Sequence, residues 1–382
     1  MSHEKLSNKK GVILKNLFVK PKNDNLLRLL LSSLILFFIF NMIISPAKFI
    51  KEGLNGISAW AFNVLPSVLP FMFFTKALSS LGQMEKLTHP FQRVTKTLFN
   101  TPPISFYAFF MAILSGYPVG SKMIADLYMQ GKITQEDAYR MSAFCSTSGP
   151  MFIIGAVGIG MFKNSLVGYI LFLSHILSAF LNGLIYRKLG LKNDYKDKPP
   201  KKNISQTTKI QGKNKLKNKD DKFSQKNTID TQSKNNEIKI DLTNQNSDTN
   251  LNRANEKTPD ISEIVLSSTL AILSVGCIIT IFFIIIECLS PIFNLFPENI
   301  SALLEGIVEI TKGCLSLSTL SNIKLAVILA SFVISFGGIS TLLQSITMLR
   351  QVKIPIKLFA LQKLTHALLS ALISTMLVLF FM

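Results

Sequence analysis

Three short segments carry residues whose types and spacing could do chemistry, and each interrupts an apolar run. The first is Ser115-Gly116-Tyr117-Pro118-Val119-Gly120-Ser121-Lys122. Pro118 lacks an N–H and disfavours helix at Tyr117, while Gly116 and Gly120 admit unusual dihedrals and close backbone approach. A helix restarting near Val119 would turn free N–H groups and a positive dipole end toward its surroundings, which suits an anion. Ser121 adds a hydroxyl and Lys122 a cation for a carboxylate. The same Gly116 and Gly120 also spell a GxxxG packing contact. The second segment is Ser146-Thr147-Ser148-Gly149-Pro150. Thr134 and Asp137 resemble a capping box that starts a helix running to about Cys145, after which Ser148 or Gly149 can cap a new helix with Pro150 at its start. The plainer alternative is a loop between two helices. The third holds Gly337 and Gly338, which destabilise a continuous helix, followed by Ser340, Thr341 and Gln344 as neutral hydrogen-bonding groups. A hinge or kink alone would look the same.

Ionisable groups near membrane depth are functional candidates. Glu305 and Glu309 lie four apart on one helical face, placed either to couple a cation such as H+ or Na+ or to face solvent in an interfacial helix. Asp126 is expected near a helix end, and Glu287 and His366 are weaker candidates. The histidines, His3, His89, His175 and His366, have no metal-ligand spacing, and there is no Walker A, G-x-S-x-G or H-E-x-x-H pattern. The expectation is a protein that is not an enzyme, with no cofactor or metal, in which any transport runs on an ion gradient or on the solute's own.

The elements that must position these residues are membrane helices. Of 382 residues, 48% are hydrophobic and 16% charged, and crossing a bilayer takes about 20 apolar residues. Apolar runs lie at about 27–45, 57–80, 104–129, 141–162, 165–188, 262–289, 322–348 and 356–381, with weaker stretches at 88–100 and 299–317. They predict an all-α polytopic membrane protein with about eight transmembrane or re-entrant helices, in contact with the lipid bilayer. The first run has no cleavage-like site behind it and reads as a retained helix. Cys145, Cys277, Cys288 and Cys314 sit in or beside apolar runs without a C-x-x-C pair, so they read as small hydrophobes.

The formal charge of +19 is concentrated in residues 1–28, with seven Lys/Arg against two acids, and 187–260, with eighteen against ten. Positive charge flanking membrane helices marks cytoplasmic segments, a stronger reading than nucleic-acid binding. Four regions follow: a basic cytoplasmic tail (1–25), a first membrane half (26–189), a polar linker (190–260) too poor in apolar residues to order itself, and a second membrane half (261–382). The halves align at an offset of about 220, which sets Ser115-Gly116 on Ser335-Phe336 and Gly120-Ser121 on Ser340-Thr341. Breaks in corresponding places of two halves point to a transporter's substrate site. Residues 76–96 and 350–363 are short basic stretches expected on the cytoplasmic side. Five full crossings before the linker would put the second of them outside. One re-entrant element before the linker would put both inside and make the halves inverted repeats.

The run from Ser115 to Lys122, then Gly131-Lys-Ile-Thr-Gln-Glu-Asp-Ala138, Cys145-Ser-Thr-Ser-Gly-Pro150 and Ile154-Gly-Ala-Val-Gly158, resembles the sporulation integral membrane protein YlbJ family. Those proteins are similar to the nucleoside-recognition "Gate" group, related to helices of concentrative nucleoside transporters. The resemblance implies two Gate-like repeats and a role in endospore formation. It also implies export of dipicolinic acid from the mother cell across the outer forespore membrane. A planar dianion of that kind suits helix N-termini near Pro118 and Pro150, with Lys122 and a stacking Tyr117. A transporter of another solute such as a nucleoside, and a non-transporting scaffold needed for the spore cortex, are the rival readings. A homo-oligomer is compatible with all three.

Overall fold

Helices too short to cross a bilayer decide the architecture. The computed structural model describes residues 24–81, 89–190 and 261–382, so the tail before Asp24, nearly all of the 190–260 linker, His3 and the side chain of His89 lie outside the described residues. The described chain is helical, without strands. In order it forms α1 (Asp24–Ile44), α2 (Pro46–Ser80, with a π-helical turn at Trp60–Val64), α3 (Gln92–Phe99), α4 (Ser105–Ser115), α5 (Val119–Met129), α6 (Gln135–Ser142), the π-helical α7 (Met151–Met161) and α8 (Ser165–Ile185). After the linker come α9 (Ile261–Phe293), α10 (Glu298–Val308), α11 (Ile310–Ser318), α12 (Ile323–Phe336), α13 (Gly338–Leu349) and α14 (Ile356–Phe381). Leu379, Phe380 and Phe62 are 75%, 81% and 79% exposed. Large aliphatic and aromatic surfaces of this kind are stable only against lipid. Among the described residues five helices are long and apolar enough to span: α2, α8, α9, α12 with α13, and α14.

α4 and α5 have 11 residues each, and α10 and α11 have 11 and 9. At 1.5 Å per residue each is about 14–16 Å long, half the ~30 Å hydrocarbon core. Each pair therefore folds back on itself as a re-entrant hairpin. Small residues hold the arms together: a Cβ on Gly120 would lie 2.7 Å from Ala112 Cβ, and one on Gly313 would lie 2.1 Å from Gly306 Cα. By contrast α6 and α7, and α12 and α13, run on in sequence as the two parts of interrupted crossings. The order hairpin, interrupted helix, unbroken helix thus occurs twice, as α4–α8 and as α10–α14.

The two sets run in opposite directions. Gln135 donates to Val352 O at 2.9 Å, Arg140 to Leu189 O at 2.8 Å and Arg187 to Thr97 O at 3.2 Å, gathering the feet of the first hairpin and the turn before α14 at one end. Val167, Leu317, Ala326 and Val378 pack together at the other end. α8 and α14 lie antiparallel, with Asn182 beside Gln362 and His175 beside His366. The element left open by the sequence, the re-entrant one before the linker, is the α4–α5 hairpin. The alignment also needs correcting. The 115–121 break is a hairpin tip whose counterpart is the tip at Glu309, about 190 residues on, and the 146–150 break is the counterpart of Gly337-Gly338. Glycine in both kinds of break made the wrong pair look alike.

Side chains set the helix starts. Thr134 and Asp137 form a full capping box on α6, and Asn164 and Asn322 cap α8 and α12 through their Oδ1 atoms. α7 packs tightly through glycine: a Cβ on Gly158 would lie 2.4 Å from Gly168 Cα of α8.

Candidate functional site

Residues at or beside all four breaks line one cavity. At the first hairpin tip Gly116 takes φ +73°, a conformation that favours glycine, and the Tyr117–Pro118 peptide is cis. A Cβ on Gly116 would sit 2.7 Å from Gly149 N, so this tip abuts the interruption between α6 and α7. At the second tip Glu309 leaves the helical conformation, and its carboxylate accepts the Lys312 N–H at 2.7 Å. A Cβ on Gly338 would lie 3.2 Å from Ile310 N, so that tip abuts the interruption between α12 and α13. In each half, then, a hairpin tip touches the break of its own interrupted helix.

Between the tips lies a cavity of about 160 Å³, room for more than one water at ~30 Å³ each. Its polar lining comes from Ser115, Gly116, Tyr117, Pro118, Ser148, Gly149, Glu309, Thr311, Ser340, Thr341 and Gln344. Val64, Val68, Phe71 and Met72 of α2 and Ile272, Val275 and Ile279 of α9 form the apolar wall. Glu309, 2% exposed, is the charged residue of the lining. Lys312, one turn on, pairs instead with Glu52 at 3.2 Å. The N-terminal ends of α5, α7, α11 and α13 all reach the cavity region, and that of α11 is capped by Glu309.

Behind Tyr117 lies a buried polar network. Lys363 of α14 donates to the Tyr117 hydroxyl and, at 2.9 Å, to Ser146 O. The Tyr117 hydroxyl lies 3.4 and 3.5 Å from Ile334 O and Ser335 O. His175 Nε2 accepts the Ser148 N–H at 2.9 Å, which leaves its proton on Nδ1 to donate to Ser335 Oγ at 2.8 Å. His366 Nε2 donates to His175 O at 3.1 Å. Asn182 donates to Ala143 O at 2.8 Å, and Gln362 to Tyr139 O at 2.8 Å. These side chains satisfy backbone groups freed by the interruption, as a membrane interior requires.

Residues 61–184, from the middle of α2 to the end of α8, match the Gate family, described as nucleoside recognition. The sporulation integral membrane protein YlbJ of Bacillus subtilis (strain 168) is 32% identical over 169 residues. The match covers 44% of this chain and 41% of the relative, so the chain spans less than half of that protein's length. No solved structure matches the chain.

Within this geometry the expected residues separate. Ser115, Gly116, Tyr117, Pro118, Ser148, Gly149, Ser340, Thr341, Gln344 and Glu309 reach the cavity. Gly120 is set back in the hairpin, where a Cβ would fall 1.7 Å from Cys145 O. Ser121 and Ser146 are buried off the lining with no hydrogen-bond partner for Oγ, and Gly337, Gly338 and Pro150 shape the breaks without lining the cavity. Glu305 accepts the Ser316 hydroxyl and lies off the cavity. Lys122 is exposed and points away, because α5 buries the face bearing Gly120, Ser121 and Ile124. Lys363, expected in a basic cytoplasmic turn, is the eighth residue of α14 and 2% exposed. Three polar residues on one apolar helix, Gln362, Lys363 and His366, were the signal for it. His175 and Asn182 of α8 were a similar one.

Proposed function

We propose that the protein is a transporter of sporulating cells that moves dipicolinate from the mother cell across the outer forespore membrane. One observation carries the transport reading: two inverted sets of hairpin and interrupted helix bring four breaks to one cavity. Transporters bind substrate at such midplane sites and expose it alternately to the two sides. The name of the Bacillus subtilis relative supports the link to sporulation, and the family resemblance supplies dipicolinate as the substrate. The ends of α5, α7 and α13 offer N–H groups for its carboxylates, and the apolar wall of α2 and α9 suits its flat ring. Lys132, Arg187, Lys188, Arg350, Lys353 and Lys357 cluster toward the end where α8 finishes, and the positive-inside rule sets that end in the cytoplasm. Glu309 is the group for an accompanying H+ or Na+, since no basic side chain of the described residues pairs with it.

Dipicolinate uptake into proteoliposomes of the purified protein, under imposed H+ and Na+ gradients, tests this. Flux well above that of protein-free vesicles is expected. Folded protein without flux under any gradient overturns transport and favours a scaffolding role. A nucleoside is the second reading, favoured by Glu309, Gln344 and Thr341 as partners for neutral hydroxyls and by the description of the Gate family. Nucleoside flux exceeding dipicolinate flux in the same vesicles would establish it.

A further inference from the structure

A buried cation reaches the first interrupted helix from a distant part of the sequence. Lys363 lies about 10 Å along α14 and is 2% exposed. The ion pairs of the described residues, Lys48–Glu287, Arg140–Asp137 and Lys312–Glu52, leave it out. Its partners, the Tyr117 hydroxyl and Ser146 O, are both neutral. A buried charge without a counter-charge is expensive to hold, and such residues in membrane proteins mark substrate paths. Beside Lys363, Ser146 Oγ and Thr147 Oγ1 are buried without a partner. Tyr117 stands between Lys363 and the cavity. Lys363 donates to its oxygen, leaving the Tyr117 proton to the carbonyls of Ile334 and Ser335 at 3.4 and 3.5 Å. Those bonds are at the long limit of the range and are readily exchanged for a stronger acceptor.

We propose that Lys363 and Tyr117 form the anion-recognition element of the cavity. A substrate carboxylate accepts the Tyr117 hydroxyl in place of the two carbonyls and supplies the negative charge that Lys363 lacks. The charge-assisted bond selects a carboxylate over a neutral group of the same shape. This inference rests on the transport reading and names its selectivity residues.

The test compares dipicolinate with its neutral diamide, pyridine-2,6-dicarboxamide, in proteoliposomes. Wild type should prefer the dianion. Lys363→Gln should cut dipicolinate flux by about 10–100-fold, the range of one hydrogen bond to a charged group, while diamide flux falls less than about threefold. Lys363→Arg should keep most of the preference. Tyr117→Phe keeps the cation and removes only the hydroxyl, so it should lower the preference too, and it carries the test if Lys363→Gln fails to insert. Equal losses for both solutes would mean that Lys363 merely supports the fold, and a wild type without preference would also overturn the inference. If wild type moves neither solute, transport fails separately, and thermal stabilisation by dipicolinate decides recognition. Stabilisation lost in Lys363→Gln supports it, and none in wild type overturns it.

Discussion

The two interrupted helices solve one problem in different ways. In the first half the freed carbonyls of Tyr139, Ala143 and Ser146 are held by Gln362, Asn182 and Lys363, and the Ser148 N–H by His175. Every one of those side chains belongs to α8 or α14. In the second half the break caps itself. Gly337 N–H bonds Val333 O at 2.9 Å, Thr341 donates to Gly337 O, and Gln344 Nε2 donates to Ser340 O at 3.3 Å. Glu309 likewise caps its own hairpin arm. The first break is therefore clamped by two long helices, and any displacement there sacrifices bonds to them. The second carries its Thr341 and Gln344 bonds with it, and its side-chain ties to the first half are those of Tyr117 and His175 to Ile334 and Ser335.

What the halves share should be the most sensitive to change. Both hairpins close on small residues, so Gly120→Ala and Gly313→Ala should each destabilise by about 3 kcal/mol or more, at or beyond the top of the range for overpacking. Their added Cβ atoms would meet backbone, Cys145 O at 1.7 Å and Gly306 Cα at 2.1 Å. Gly53→Ala, whose Cβ would meet only Ile284 Cδ1 at 3.7 Å, is the control. Thermal unfolding in detergent reads the difference. Equal midpoints for Gly120→Ala and Gly53→Ala would refute the close hairpin packing.

The clamp itself is sharpened by a pair of substitutions. Asn182→Leu strips Ala143 O and Gln362 O of a donor and the Thr365 hydroxyl of an acceptor. Buried groups left unpaired cost about 1–3 kcal/mol. Thr341→Val removes only hydroxyl bonds to carbonyls within the same turn, worth about 0.6 kcal/mol by the average for hydrogen bonds in membranes. Unfolding midpoints should fall further for Asn182→Leu. The reverse order would mean that the second break, not the first, depends on side-chain support.

Much of this was legible in the sequence, and the losses have physical reasons. Apolar length located the helices, and the glycine and proline breaks located the hairpin tip at Gly116 and the interruptions at Ser148 and Gly337, because backbone rules act locally. The Thr134 capping box was readable for the same reason. Which break corresponds to which was not, since a hairpin tip and an interrupted helix both begin with glycine and differ only in the direction of the chain beyond. Nor was Lys363, whose environment is made by Tyr117 and Ser146, more than 200 residues away in sequence. Charge counting along the chain assigned it to the nearest basic turn, while the fold carried it inside.

Lys122 is the smallest test and the one that separates the two readings of charge. In sequence it is the cation beside the first break; in the fold it is exposed on α5 and lines no part of the cavity. Lys122→Gln should therefore change stability by less than about 0.5 kcal/mol, as surface substitutions usually do. Dipicolinate flux should stay within twofold of wild type. Lys363→Gln in the same vesicles should lower it strongly. If the effects were reversed, the anion would be recognised from the exposed face of the first hairpin, and the buried clamp on the first break would be structural support alone.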